Sequence, residues 1–547
     1  MVLSKKKVAL YLVAIGLISL IFKLYLVDFS IPLYSDDLGY TLNAIAHSHG
    51  DFAQIPDKGE GWPYFISLFF LVINSNNYID YSNVVRILSL SISTFSIFTV
   101  YLLGKKFFNE KYSLIPASLF AFEPHLNYIS GFGLAEPLYH MVMILAFYFI
   151  LNRETRYFLL SMLLIGVLWW IRINGFILLP VIIAIYFINF RKSQNLLKNF
   201  GFGIAIFLIV VSPMLMQRYN QYGNPFHFWY DQNIFTGDYE KIVSVNTETT
   251  NTSALDYIQK NGILSFIHTF ILTGFYNILH TEAKILFPYL IILVPFGIIF
   301  SFRAFDQEKN FIKASWILIV VTAGLTTITF SIFPDRRYLY YLYPFLIIFA
   351  TIPIQRVTEY GLSTFSFSNR KKDAFLFFVI VIVIILSGLF TMLQYHRPDQ
   401  ILENEKILFA KFAVHNLNGK ILRDPGPALD YFTYVKLDDP LGNFKTFIID
   451  TSNKSDHSFL QQSGNLTRIY IYGKTMDELI TNGETYDLKY IISDANGSVF
   501  HSFVDDVYKN ENRYPYLKKV FDSEEHGFKE LRVKVLEIDY KKFHEQK

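Results

Sequence analysis

A polytopic α-helical membrane protein with a soluble α/β domain at its C-terminal end is the fold class this sequence predicts. Hydrophobic residues make up 52% of the 547 residues and charged residues only 17%, the balance of a membrane protein. Apolar runs of roughly spanning length recur about eleven times before residue 395. Beyond it the pattern changes to short alternating helix and strand signals.

The elements follow in order. Lys5, Lys6 and Lys7 precede an apolar run from Val8 to Val27. The run is too long for the h-region of a signal peptide and no small-residue cleavage site follows, so it reads as a retained first helix entering from the cytoplasm. Further runs lie near 84–104, 112–130, 134–151, 157–173, 174–190, 199–216, 285–302, 311–333, 338–355 and 374–394. Their phase is tested by basic residues, which collect in cytoplasmic loops. Lys105, Lys106 and Lys111, then Arg153 and Arg156, then Arg191, Lys192 and Lys198 fall in alternate loops. Arg303, Lys309 and the Arg370–Lys372 triplet continue the alternation. This places the N-terminus in the cytoplasm and the C-terminal domain outside.

Three external regions are long. The loop 28–83 is polar, with a segment at 64–73 too short to span and suited to the interface. A second region covers 217–283. The third begins at 396, so the chain divides into a membrane part, 1–395, and an extracytoplasmic α/β domain, 396–547. In that domain Asn404–Asn416 and Met476–Thr481 read as helices. The stretches 445–450, 468–472 and 489–494 read as strands. Sequons at Asn251, Asn453, Asn465 and Asn496 all fall in regions assigned outside.

Composition also excludes. Cysteine is absent, which removes disulfides, thiolate nucleophiles and cysteine metal sites. A net charge of +3 with no basic tail gives no footprint for nucleic acid. Phosphate loops, G-x-S-x-G and H-E-x-x-H motifs are missing.

The residues able to do chemistry gather at the external ends of the spans. Asp36 and Asp37, in Tyr34-Ser-Asp-Asp-Leu-Gly-Tyr40, follow the first span, and acids so near lipid are costly to keep. Adjacent helical residues point about 100° apart, so one faces a site and the other supports it or a cation. Close carboxylates also raise one pKa. Capping accounts for the same residues, with Ser35 or Asp36 capping a helix from Leu38. Glu136 opens the fourth span behind a glycine-rich turn, where an acid also suits a helix N-terminus. Glu123 and His125 read as a buried pair. Arg172, Arg336 and Arg337 are external arginines that break the basic-inside trend, and guanidinium groups suit phosphate; snorkelling to headgroups is the other reading. Lys58, Glu60, Trp62 and Tyr64 form a polar-aromatic group of the kind that binds sugar rings, or that lines a membrane interface.

In order and topology these motifs resemble the GT-C superfamily of polyprenyl-phosphate-sugar glycosyltransferases. The resemblance covers about 1–395 and is strongest to the branch of protein mannosyltransferases and lipid A aminoarabinose transferases. The acidic pair Asp36–Asp37, the acid Glu136 opening a span, Arg337–Tyr338 opening a late span and Tyr222-Gly-Asn-Pro225 carry it. Asp-Asp replaces the family's frequent Asp-Glu, Gly61-Trp-Pro63 stands where a His-Pro-Pro-like signature is expected, and the Trp-Trp-Asp-Tyr-Gly string of oligosaccharyltransferases is absent, with Trp229-Tyr-Asp231 a poor match. The resemblance implies inverting transfer from a polyprenyl (dolichyl) phosphate-linked sugar to a protein, lipid or glycan acceptor at the outer face of the cell membrane. Asp36 would be general base, Asp37 and Glu136 would position the acceptor or a cation, and Arg336 or Arg337 would meet the lipid phosphate with Tyr338 and Arg172 nearby. Asp36 and Asp37 could hold Mg²⁺ or Mn²⁺, though the base role needs no metal. A flippase of lipid-linked glycans predicts a polar central pathway and repeats, which the sequence lacks. A display scaffold leaves the acidic pair unexplained.

Overall fold

The computed structural model describes residues 5–50, 52, 59–73, 75–226, 234–245, 253–302, 309–423, 429–436, 462–463, 465–495, 497 and 501–546. Its first half is helical throughout. α1 (Lys5–Tyr25) is followed by two short helices, α2 (Ser35–Ser48) and α3 (Gly61–Phe70), and then by the long α4 (Tyr78–Gly104). α5 (Leu114–Ala121), α6 (Pro124–Ile129), α7 (Glu136–Ile150), α8 (Thr155–Ile171), α9 (Leu178–Phe190) and α10 (Leu196–Tyr222) come next. After α11 (Tyr239–Val243) and α12 (Ala254–Asn261) runs a continuous helix, α13 (Ile263–Leu286). α14 (Leu290–Ser301), α15 (Lys309–Ile332), α16 (Tyr343–Arg356) and α17 (Asn369–Gln394) complete the bundle.

Among the described residues seven helices are long and apolar enough to cross a membrane, and four apolar helices are shorter. Packing sorts them. Every residue of α16 from Tyr343 to Ile354 is buried, as befits a helix that is apolar all round and sits at the centre of the bundle. α17 instead exposes Phe377, Phe378, Leu389, Met392 and Leu393, and α10 exposes Leu208 and Ile209. Such bare apolar faces belong against lipid.

Two expectations change. The run at 112–130 is not one helix: it breaks after Ala121, and the Glu123 side chain caps α6 by accepting from the Leu126 N–H at 2.7 Å. The stretch 263–286, read from the sequence as external, is one of the seven long apolar helices. His268, His280, Glu282 and Lys284 dilute its apolar signal.

The tail opens with α18 (Gln400–Asn416) and β1 (Gly419–Leu422). β2 (Gln462–Ser463), β3 (Leu466–Ile469), α19 (Met476–Thr485), β4 (Leu488–Asp494), β5 (Leu517–Asp522) and β6 (Val533–Ile538) follow. The sheet order is β2-β3-β1-β4-β6-β5. β1 runs parallel to both β3 and β4, while β6 runs antiparallel to β4 and β5. α18 covers the sheet through Phe409 and Ala413, packed with Leu466 and Val533. α19 covers it through Leu479 and Ile480. The strands expected at 468–472 and 489–494 and both helices are found, slightly displaced; 445–450 lies outside the described residues. β1, β5 and β6 had no expectation, since each is a short or lysine-interrupted strand.

The tail is seated on the membrane part. Gln400 Nε2 donates to Asp28 Oδ2 at 2.7 Å, and Tyr431 packs edge-on against Tyr34 at 5.0 Å. Tyr34 is three residues before Asp37, so this seat sets the sheet domain beside the acidic pair.

Candidate active site

The site starts from an unusual backbone. Ser35 has φ of +58°, a left-handed conformation that costs a non-glycine residue about 1–2 kcal/mol. α2 begins there with no side-chain cap, so capping does not explain the acids beneath it. The kink launches Asp36 and Asp37 in different directions, as adjacent helical residues must go. Asp36 faces outward: its Oδ2 accepts from Arg337 Nη1 at 3.2 Å, with the two side chains 31% and 28% exposed. Asp37 faces inward and is buried, and among the described residues its Oδ1 has no hydrogen-bond partner.

The electrostatics follow. Burial pushes the Asp37 carboxyl well above the usual range, and the neighbouring Asp36 and Glu136 charges push the same way; Arg337 and Arg86 offset them in part. Asp37 is therefore held toward its neutral form while Asp36 keeps an arginine partner and access to water. Environments that separate two carboxyl groups in this manner assign them different roles.

The two arginines are braced. Arg337 is oriented by Asp335, which accepts from its Nε at 2.7 Å and from its backbone N–H at 2.8 Å. Arg172 Nη1 donates to Glu136 Oε1 at 2.5 Å, and its guanidinium lies over the Tyr338 ring at 5.6 Å. Glu136 begins α7 and Arg172 ends α8, so antiparallel helix packing brings them together. Arg336 is exposed and has no ion pair among the described residues.

Between these groups lies a pocket lined by Glu136, Tyr139, His140, Arg172, Asn174, Arg337, Tyr338 and Tyr341. Its accessible space of about 10 Å³ is room for roughly one water. Asp36 stands partly exposed beside this network, through its contact with Arg337.

The first-loop residues have another place. Trp62 is 0% exposed and donates from its indole N–H to the Gly133 carbonyl at 2.7 Å, so it offers no face to a sugar ring. Glu60 is buried against His47, with Oε2 to Nε2 at 3.0 Å. Burial pushes its carboxyl up to about 7, against the pull of His47 and Arg218. Both side chains are thus buried. Gly59 and Gly61 let this strand press on the backbone just before Arg172: a Cβ on Gly59 would lie 2.1 Å from the Ile171 carbonyl oxygen. Lys58 lies outside the described residues. Glu123 and His125 do pair, at 2.8 Å and fully buried.

The structure thus gathers Asp36, Asp37, Glu136, Arg172, Arg337 and Tyr338; Arg336 is exposed, and its charge acts on Tyr128, Tyr340 and Tyr395 instead. Sequence reading missed Asp335 and Tyr40. Tyr40 is buried one turn after Asp36, where it feels the charges of Arg172, Asp36, Glu136 and Arg337; its i+4 spacing was the available signal. It missed Tyr239 of α11 too, which packs on Phe333 at 4.6 Å.

The donor set does not fit a shared divalent ion. Asp36 is taken up by Arg337, Asp37 points into the protein and is held toward its neutral form, and among the described residues no group of three His, Asp or Glu is poised to hold a metal.

Residues 57–216 match the family model described as dolichyl-phosphate-mannose-protein mannosyltransferase. That stretch contains Glu136 and Arg172 but neither Asp36 nor Arg337. No curated protein matches the chain in sequence. Among solved structures, the chain is similar to the Archaeoglobus fulgidus oligosaccharyltransferase in the apo form, with a TM-score of 0.57 and 12% identity over 90% of this chain and 70% of that one. It is also similar to the same organism's oligosaccharyltransferase AglB in complex with an inhibitory peptide and a dolichol-phosphate, at a TM-score of 0.53 and 12% identity over 93% and 72%. ArnT from Cupriavidus metallidurans bound to undecaprenyl phosphate aligns at 0.48 and 12% identity over 98% of each chain.

Proposed function

We propose that this multi-pass membrane protein, a glycosyltransferase with the GT-C fold, transfers a sugar from a polyprenyl phosphate carrier to a hydroxyl acceptor, with Asp36 as general base. The family matched over 57–216 uses a dolichyl-phosphate-linked mannose by its description, and AglB was solved with a dolichol-phosphate; a dolichyl-type carrier and a hexose donor are the corresponding reading here. The acceptor is a glycan, protein or lipid at the outer membrane face. The N-terminus lies in the cytoplasm, and 396–547 forms the extracytoplasmic domain.

The observation that carries the assignment is the partly exposed Asp36 held by Arg337, next to a buried Asp37 and to the Glu136–Arg172 pair. Asp36 takes the proton from the acceptor hydroxyl. The acceptor oxygen bonds to the anomeric carbon as the bond from that carbon to the carrier phosphate breaks, and the phosphate leaves with the electron pair. Attack opposite the leaving group inverts the anomeric centre. Arg336, exposed and with no ion pair among the described residues, meets the phosphate charge that develops. Arg337 divides between Asp335 and Asp36, so it holds the base in place and lends charge to the departing phosphate. Glu136 fixes Arg172 under Tyr338 and closes the floor. Asp37, held toward its neutral form, keeps a second negative charge away from the carrier phosphate.

The test is sugar transfer in membranes supplied with polyprenyl-phosphate mannose or glucose, by wild type and Asp36→Asn. General-base loss lowers rates about 10²–10⁴-fold. The variant should stay folded, because a partly exposed pair is worth about 0–1 kcal/mol and Arg337 keeps Asp335. Undiminished transfer by a folded Asp36→Asn protein would refute the base assignment.

A further inference from the structure

One edge of the sheet domain meets the second external segment of the bundle. β1 and β3 are parallel neighbours, and Arg423 and Tyr470 are the residues that immediately follow their carboxyl ends. In open α/β sheets that edge is where ligands bind. Arg423 is locked there: its backbone N–H donates to the Ile469 carbonyl at 2.7 Å, and its guanidinium lies over the Tyr470 ring at 4.9 Å. Among the described residues no carboxylate forms an ion pair with it. Arg468 stands behind it, close enough that the charge on Arg423 helps to lower its pKa.

The second external segment ties this edge to the base. The Val245 N–H donates to the Tyr470 carbonyl at 3.0 Å, and Glu240 Oε1 pairs with His501 Nε2 of the sheet domain at 3.0 Å. Tyr239, just before the first tie, packs on Phe333 of the bundle at 4.6 Å. Burial raises its hydroxyl pKa; Tyr470, Tyr338 and Asp36 raise it further, and Arg423 opposes them. One tyrosine thus stands within electrostatic reach of Arg423 on the sheet domain and of Asp36 on the bundle.

We propose that Arg423, with Tyr470 and Tyr239, is the specificity-determining subsite for an acceptor bearing a negative charge, a carboxylate or a phosphate on the group that receives the sugar. This rests on the transferase reading above. A base must touch the acceptor hydroxyl, so what stands across from Asp36 meets the rest of the acceptor. The donor's phosphate has its own arginine, Arg336, on the bundle. A planar guanidinium already stacked on an aromatic ring is preorganised for a carboxylate or phosphate fork.

The experiment is equilibrium binding to the full chain in nanodiscs, which does not depend on turnover. The probes are p-nitrophenyl β-glucuronide, p-nitrophenyl β-glucoside and dolichyl phosphate. Wild type should bind the glucuronide at least tenfold more tightly than the glucoside. Arg423→Gln should erase that preference, Arg423→Lys should restore part of it, and dolichyl phosphate binding should be unchanged in both. Equal binding of the two glycosides, no binding of either, or a preference that survives Arg423→Gln overturns the proposal. So does a loss confined to dolichyl phosphate, which would assign Arg423 to the donor. Glucuronide preference in a protein that transfers no sugar would instead sink the transferase reading and leave the anion subsite standing.

Discussion

Replacing Glu136 with Gln should leave a buried arginine without its counter-charge, and the cost can be worked from the geometry. The Glu136 side chain is 3% exposed and Arg172 16%, with Oε1 and Nη1 2.5 Å apart. Two unit charges about 4 Å apart at an effective dielectric of about 20 attract by about 4 kcal/mol. Removing one partner of a buried pair costs roughly 3–5 kcal/mol, because the survivor stays desolvated. Arg172 has little alternative, since Arg337 lines the same pocket and repels it. SDS-driven unfolding in mixed micelles should therefore show Glu136→Gln less stable by about 3–5 kcal/mol. Glu136→Gln/Arg172→Met should regain most of that, since an apolar replacement of a whole buried pair is often neutral. Transfer should fall at least tenfold in both, because Arg172 and Tyr338 form the floor beneath the base. A single variant within about 1 kcal/mol of wild type would refute the buried-pair argument. A double variant that is stable and fully active would remove the pair from the site.

Three other outcomes follow from the same geometry. Asp37→Asn should keep transfer within about tenfold of wild type, unlike Asp36→Asn, because it replaces a carboxyl held toward neutrality by a neutral amide. Asp37 and Glu60 both have folded pKa values raised by burial, so their stabilisation is complete below the ordinary carboxylate range and is lost as pH rises through the folded values. Thermal melts should show wild type losing stability as pH rises from the ordinary carboxylate range to about 7, the value to which Glu60 is pushed, and Glu60→Gln should flatten that decline; a parallel slope in the variant would contradict the assignment. Gly59→Ala would place a Cβ 2.1 Å from a backbone oxygen, so it should cost about 1–3 kcal/mol or more and displace Arg172, with reduced unfolding stability and reduced transfer as the readout.

The sequence carried the class of the protein because membrane burial is written in long apolar runs. It carried Asp36, Glu136, Arg172 and Arg337 because charged residues at span ends are few. It did not carry their pairing: Asp36 and Arg337 are 301 residues apart, and only the bundle joins them. It misjudged Trp62 and Glu60 because a polar-aromatic cluster looks alike whether it faces a ligand or fills a wedge; Gly59 and Gly61 mark the wedge, and close backbone approach is the reason for both. The helix α13 was hidden by its two histidines, Glu282 and Lys284. The edge at Arg423 and Tyr470 was unreadable, since it exists only once β1 and β3 lie side by side.

The difference between Asp36 and Asp37 is what makes the site directional. Both are aspartates, one residue apart, under one helix start. A carboxylate with an arginine and access to water can take a proton and hand it to solvent when the acceptor leaves. A carboxyl buried at the same level cannot be charged without opposing Asp36 and Glu136. Were both ionised, four carboxylates, counting Asp335 and Glu136, would stand against Arg337 and Arg172, and a phosphate carrier would be repelled. With Asp37 neutral, one of those four charges is absent. In the transfer proposed here, the inward turn of Asp37 therefore spares the carrier phosphate a further negative charge, while the outward turn of Asp36 leaves the base open.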